Sequence, residues 1–251
     1  MTKNLLVLGG TTEATALCQN LARSGISATV SFAGRVSQPK RTPLPQRVGG
    51  FGGIPGLLAY LSAHAITHVI DATHPFAARM SRNAVAACAQ ADIPLIALTR
   101  PQWQPETGDN WTHVPDIASA VAALDRPATR ILLAIGRMHL TAFAVHPQHF
   151  YLLRLVDAPD TPPPFRHYEI VQDRGPFSIA GDLALMTAHR IDLVVSKNSG
   201  GTGANAKIKA ARQLGLPVLM IDRPSLPARP EAHSVSDVLD WLNHTDTDRG
   251  V

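Results

Sequence analysis

Eight short apolar runs rich in branched residues recur along the chain: LLVLG at 5–9, ATVSFA at 28–33, HVIDAT at 68–73, PLIALT at 94–99, RILLAI at 130–135, FYLLRLV at 150–156, DLVVSK at 192–197 and PVLMID at 217–222. Helical patterns separate them. Strands that are apolar on both faces and alternate with helices predict mainly parallel sheets covered on both sides. The fold class is therefore α/β, doubly wound.

A chain of 251 residues accommodates one large domain or two small ones, and an internal echo favours two. HVIDATHPFA, a helix and IPLIALTRP resemble DLVVSKNSGG, a helix and LPVLMIDRP, and both units end in Arg-Pro, at Arg100-Pro101 and Arg223-Pro224. LDRPATR reads as the connector. The expected division is an N-terminal dinucleotide-binding lobe over 1–127, a second lobe over 128–245 and a flexible tail over 246–251, where apolar periodicity is absent. The proline-rich DAPDTPPPFR, Asp157 to Arg166, is predicted to be a loop.

The first run leads into a glycine turn, LVLGGTTEA. Gly9 and Gly10 let the backbone approach a ligand, and Thr11 or Thr12 caps a helix whose N-terminus offers N–H groups to a phosphate. The turn lacks the third glycine of GxGxxG, and Glu13 in the first helical turn would repel a phosphate unless it is held away. A tight turn with a capping threonine would use the same residues. Further on, a fold that binds NADH places a carboxylate at the end of the second strand. Here that strand ends in Ser31, Gly34 and Arg35. A hydroxyl and a guanidinium suit a 2′-phosphate, which predicts NADPH as the cofactor.

Two later stretches fall at strand ends, where open α/β sheets bind ligands. DATHPFA exposes Thr73 and His74, with Pro75 expected near the first helical position. Asp71, one pleat deeper, is expected to be a buried hydrogen-bonding partner. SKNSGGTGANAKIKAAR gathers Ser196, Lys197, Asn198, Ser199 and the amides of Gly200, Gly201 and Gly203, a set that attracts anions or polarises a carbonyl or imine. It is not a Walker A loop, because Lys197 precedes the glycines.

Other chemistries find little support. The 11 histidines include no HExxH, and His146 and His149 are interrupted by Pro147, so no metal site is expected. There is no GxSxG elbow for a serine nucleophile. Cys18 and Cys88 fall in predicted helices and are expected to be reduced core fillers. The 23 Lys and Arg are scattered and aromatic residues make up 5%, which argues against nucleic acid; the formal charge of +4 suits small anions. No apolar run approaches the roughly 20 residues that span a bilayer, and no leader is evident, so a cytoplasmic protein without membrane attachment is expected.

LVLGGTTEA, the Gly-Arg after the second strand, DATHPFA, SKNSGG and LGLPVLMIDRP, in this order, resemble the precorrin-6A reductase family of the cobalamin pathway, from Leu5 to about Trp241. The resemblance implies two Rossmann-like lobes with NADPH in a cleft between them. It also implies reduction of one double bond of a polycarboxylate tetrapyrrole, precorrin-6A to precorrin-6B, without metal or flavin, and is compatible with hand-over to neighbouring pathway enzymes. Carried over, the GGTTE turn holds phosphates and Arg35 the adenosine phosphate end. Thr73 and His74 take the nicotinamide side, and Lys197 to Gly201 the nicotinamide or the macrocycle. Hydride addition also needs a proton, for which His74, Lys197 and water are the candidates. Two rival readings remain: reduction of the cobalt-containing macrocycle, and a non-catalytic NADPH sensor.

Overall fold

The structure, a computed structural model, describes residues 2–34, 41–157, 159, 161–173 and 175–245. In chain order the elements are β1 (Asn4–Leu8), α1 (Thr12–Arg23), β2 (Ser27–Phe32), β3 (Gln46–Val48), α2 (Gly53–Ala63), β4 (His68–Asp71), α3 (Ala78–Ala91) and β5 (Leu95–Leu98). There follow β6 (Trp111–Val114), α4 (Ile117–Ala122), β7 (Arg130–Ala134), a 3-10 segment (Arg137–Val145), β8 (Phe150–Leu155), β9 (His167–Gln172) and α5 (Ile179–Ala188). The chain closes with β10 (Leu193–Lys197), α6 (Ala206–Gln213), β11 (Val218–Ile221), β12 (Glu231–Ala232) and α7 (Val235–His244).

The strands form two six-stranded sheets, ordered β12-β5-β4-β1-β2-β3 and β6-β11-β10-β7-β8-β9. Every pairing is parallel. The echo in the sequence thus has a topological basis, since β4 and β5 hold the same places in the first sheet as β10 and β11 in the second. In each sheet the strand order reverses beside an early strand: between β1 and β4, and between β7 and β10. These are the positions where open α/β sheets leave room for a ligand.

The two compact units are Met1–Arg100 with Ser225–Val251, and Pro101–Pro224. The boundary expected at 127 is therefore corrected. Residues 101–127 belong to the second unit because β6 pairs with β11, Trp111 beside Val218, and LDRPATR connects α4 to β7 inside that unit. The chain then returns: β12 adds to β5, with Glu231 beside Ala97. The chain crosses within Arg100-Pro101 and directly after Arg223-Pro224. The tail expected at 246–251 lies outside the described residues.

Alternation along β1 shows why both faces are covered. Leu5 and Val7 pack with Leu17, Leu21, Val238 and Leu242 of α1 and α7. Leu6 and Leu8 pack on the other side with Leu57 and Leu61 of α2 and Ala84 and Ala87 of α3. In the second unit Leu132, Leu152, Val194 and Met220 pack against Met186 and Ile208 of α5 and α6, while the intervening Leu133, Leu153, Val195 and Leu219 are buried too. Cys18 and Cys88 are unpaired and buried in α1 and α3. Burial holds their thiols up, at about 11 and about 12. Among the described residues, no helix is long and apolar enough to cross a membrane.

Pro75 does not open a helix, as α3 starts at Ala78. Pro75 instead sits in a turn closed by the Ala77 amide on the His74 carbonyl at 2.7 Å. The described part of the proline-rich segment has no regular structure, and its Phe165 is anchored on the Tyr151 ring at 4.4 Å.

Candidate functional site

The first sheet brings Gly9, Gly10, Thr11, Thr12, Ser31, Thr73 and His74 to one edge, around its switch between β1 and β4. The two glycines serve different needs. A Cβ on Gly9 would come within 2.9 Å of Val30 Cγ2 and 3.0 Å of Phe32 Cε1, so glycine is required for the turn to pack on β2. Gly10 has φ +131° and nothing within 4 Å of such a Cβ, so the space above the turn is open. Backbone of this shape ahead of an α-helix is what an incoming phosphate group needs.

Thr11, rather than Thr12, caps α1. Its hydroxyl accepts from the Ala14 amide at 3.1 Å and donates to the Ala72 carbonyl beyond β4 at 2.9 Å. The Thr12 hydroxyl donates to the Glu13 carboxylate at 3.0 Å. Glu13 is also met by Arg100 Nε at 3.2 Å. That pairing removes the objection that a bare carboxylate would repel a phosphate at this helix end.

Next to the turn, Asp71 is buried and ion-paired with Arg229, Oδ2 to Nη1 2.7 Å, and its other oxygen accepts from the Thr73 amide and hydroxyl. The expected buried partner is thus found, and it fixes Thr73. His74 is half-buried, and its Nδ1 accepts from the Phe76 amide at 3.2 Å, which leaves the proton of the neutral ring on Nε2.

Ser31 is buried at the end of β2, and its hydroxyl accepts from Arg47 Nη1 at 2.7 Å. The same guanidinium donates to the Gly49 and Gly50 carbonyls and lies 3.8 Å from the Phe51 ring. Arg35 lies outside the described residues. Arg47, on the short strand β3, is the cation that sequence reasoning missed; the only hint was the glycine-rich GGFGG that follows that strand.

The second sheet presents Ser196, Lys197, Asn198, Ser199, Gly200 and Gly201 at its own switch, where β10 ends beside β7. These residues separate into support and surface. Asn198 is buried: its Oδ1 accepts from the Trp103 amide at 2.9 Å and its Nδ2 donates to the Trp103 carbonyl at 3.0 Å. Trp103 Nε1 donates to Gly201 O at 2.7 Å, and Arg223 donates to the carbonyls of Asn198 and Ser199 at 3.0 and 3.1 Å. Ser196 is fully buried, its hydroxyl donating to Lys197 O at 3.2 Å. Asn198 and Ser196 thus brace the loop, and Lys197 is left half-buried at the strand end. Trp103 was not legible as a partner because it lies 95 residues away in sequence.

His149, one of the pair considered for a metal, is buried. Its Nδ1 accepts from the Thr129 amide at 3.1 Å and its Nε2 donates to Leu124 O at 2.8 Å, which ties together the two ends of the connector between α4 and β7.

Comparison with known proteins places this geometry in a lineage. Residues 4–243 match the model of the family described as precorrin-6x reductase CbiJ/CobK. A precorrin-6A reductase of Rhodobacter capsulatus is 54% identical over 98% of this chain and 99% of its own. One from Rhodococcus erythropolis is 47% identical, covering 93% and 94%. A cobalt-precorrin-6A reductase of Priestia megaterium is 29% identical over 88% of this chain and 91% of its own. A solved structure titled CobK precorrin-6A reductase superposes with a TM-score of 0.92 at 54% identity, covering 96% of both chains. With the match running from β1 through α7 and the whole fold in common, the chain belongs to the precorrin-6x reductase CbiJ/CobK family.

Proposed function

We propose that this chain is an NADPH-dependent precorrin-6A reductase, which reduces one double bond of a polycarboxylate tetrapyrrole to give precorrin-6B. The observation that carries the reading is the open Gly10 turn ahead of α1, at the switch of a sheet whose second strand ends without a carboxylate. The metal-free substrate is favoured over its cobalt-containing counterpart because the relatives named for precorrin-6A are 40–54% identical, against 29% for those named for the cobalt compound.

The residues present fit a dinucleotide. Gly9, Gly10 and the first turn of α1, with Thr11 and Thr12, would hold its pyrophosphate. Ser31 and Arg35, joined by Arg47, would hold the 2′-phosphate, where a guanidinium is the best available partner. Thr73 and His74, and Ser199 to Gly201 braced by Ser196 and Asn198, would line the nicotinamide and the macrocycle. When bound, the cofactor supplies the hydride. The chain then has two tasks: to position the reactants and to provide a proton to the neighbouring ring atom. His74 through Nε2 and Lys197 through Nζ are the groups that hold such a proton.

The test is nicotinamide oxidation by the purified protein, with NADPH or NADH, in the presence of precorrin-6A, its cobalt counterpart or neither. Turnover with NADPH and precorrin-6A is expected. Turnover only with the cobalt compound would move the chain to that substrate, and tight NADPH binding without turnover would make it a sensor. Lys197→Ala is expected to lower kcat more than NADPH affinity. Arg35→Ala is expected to weaken NADPH selectively, and equal effects on both cofactors would remove Arg35 from the site.

A further inference from the structure

The second unit contains a charged pocket built from residues other than those assigned above. It has a volume of about 260 Å³ and is lined by Arg154 of β8, Val171 and Asp173 at the end of β9, and Ser178, Gly181 and Asp182 at the start of α5. The strand ends place it at the carboxyl edge of the second sheet, the same edge that carries Lys197.

Arg154 and Asp182 form an ion pair, with side chains only 9% and 3% exposed. The pair is incompletely satisfied: among the described residues, neither Arg154 Nε nor Asp182 Oδ2 has a hydrogen-bond partner. A buried ion pair is tolerated when its remaining donors and acceptors are met. Here, among the described residues, one donor and one acceptor are left without a partner.

The surroundings set the sign of what fits. The Lys207 ammonium is buried near this pair, donates to Ala204 O at 2.6 Å and lies 4.9 Å from the Trp103 ring. Burial, then the Arg154 charge, pull it down to about 8 against the opposing effect of Asp182, so it is still largely protonated at pH 7. Two buried cations therefore face one buried carboxylate. Asp173 is exposed at the rim, where water screens it. The N-terminus of α5, a ten-residue helix capped by Ser178, adds a partial positive charge.

We propose that this pocket binds an oxyanion, namely one carboxylate arm of the tetrapyrrole, with the Arg154 guanidinium as its principal partner; the identity of the arm rests on the reductase reading. Asp182 is a positioning residue. It holds the guanidinium through Nη2, and the Phe177 ring at 4.4 Å supports it, so that the cation is fixed at the pocket wall. The volume is several times the roughly 30 Å³ of one water, so water can accompany the arm.

The experiment has two arms. In the first, melting of the protein is followed in succinate or inorganic phosphate against sodium chloride of equal ionic strength. Both anions are expected to raise the Tm of the wild type and to lose that effect in Arg154→Gln; no anion-specific shift in the wild type overturns the pocket. The double variant Arg154→Gln with Asp182→Asn removes the whole charge pair, so that no carboxylate is left buried alone. It must lose the shift as well.

In the second arm, both variants are expected to raise the KM for precorrin-6A by about tenfold or more, the scale of one lost charge-assisted hydrogen bond, with the Kd for NADPH unchanged. A raised NADPH Kd with an unchanged precorrin-6A KM overturns the assignment and gives the pocket to a cofactor phosphate. If the wild type turns over neither macrocycle while the succinate shift persists, the reductase reading fails and the oxyanion pocket stands.

Discussion

The Thr11 hydroxyl donates to the Ala72 carbonyl at 2.9 Å, and so joins the turn after β1 to the loop after β4. The same oxygen caps α1 through the Ala14 amide. One side chain thus sets the spacing of the two loops at the switch of the first sheet. Thr11→Val keeps the shape and loses both bonds. It is expected to cost about 1–2 kcal/mol of stability, as lost caps do, and to raise the KM for NADPH more than that for the macrocycle. Thr11→Ser should restore both, as measured by urea unfolding and initial rates.

Asp71 and Arg229 form a pair whose side chains are 1% and 8% exposed. Removing one partner leaves a buried charge alone, so Arg229→Met is expected to destabilise by about 3 kcal/mol or more, whereas Asp71→Asn with Arg229→Met should lose much less. A double-mutant cycle on urea midpoints checks this. Additive losses would show that the pair is not coupled.

Gly200 and Gly215 share a φ of +66°, but only Gly200 is crowded: a Cβ there would lie 2.1 Å from Pro101 O and 2.5 Å from Arg223 Nη2. Gly215→Ala is expected to cost about 1 kcal/mol, the strain of a left-handed alanine. Gly200→Ala should cost considerably more and displace the Lys197 loop, with a parallel loss of turnover. Equal Tm changes in the two variants would show that crowding at Pro101 is unimportant.

Lys207 gives a pH signature. Its pKa falls from 10.5 unfolded to about 8 folded, so below pH 8 the lysine is charged in both states and the burial penalty is complete. Between about 8 and 10.5 the folded chain has released the proton and the unfolded chain keeps it, so stability rises with pH. Lys207→Met is therefore expected to stabilise by up to about 3 kcal/mol at pH 7, an advantage that shrinks towards pH 10.5. Urea midpoints at pH 7, 8, 9 and 10 test it; a constant gap would contradict it.

The eight strands legible in the sequence are the eight interior ones. The four it did not mark, β3, β6, β9 and β12, are the four sheet edges. An interior strand is apolar on both faces and reads as a continuous run, whereas β9, HYEIVQ, is exposed or half-exposed at every position and reads as loop. The domain boundary was misplaced for the same reason, because β6 and β12 reveal where the chain crosses over. In the candidate site, the glycine turn and the polar loop were legible as local patterns. Arg47 on Ser31, Trp103 on Asn198 and Arg229 on Asp71 were not, since each joins residues that only the fold brings together. Lys207 carries no local signal that separates a buried lysine from one on a helix surface.

The return of the chain at Ser225 also has a consequence for biosynthesis. During translation β12 and α7 leave the ribosome after the whole second unit, so until then the outer edge of β5 is unpaired and Leu5, Val7 and Leu17 lack the cover of Val238 and Leu242. The second unit is one uninterrupted stretch that has already emerged. Vectorial synthesis therefore completes the second unit before the first, and a stop codon just after Pro224 releases a nascent protein with an open sheet edge and a bare apolar face, the combination that chaperones hold and proteases remove.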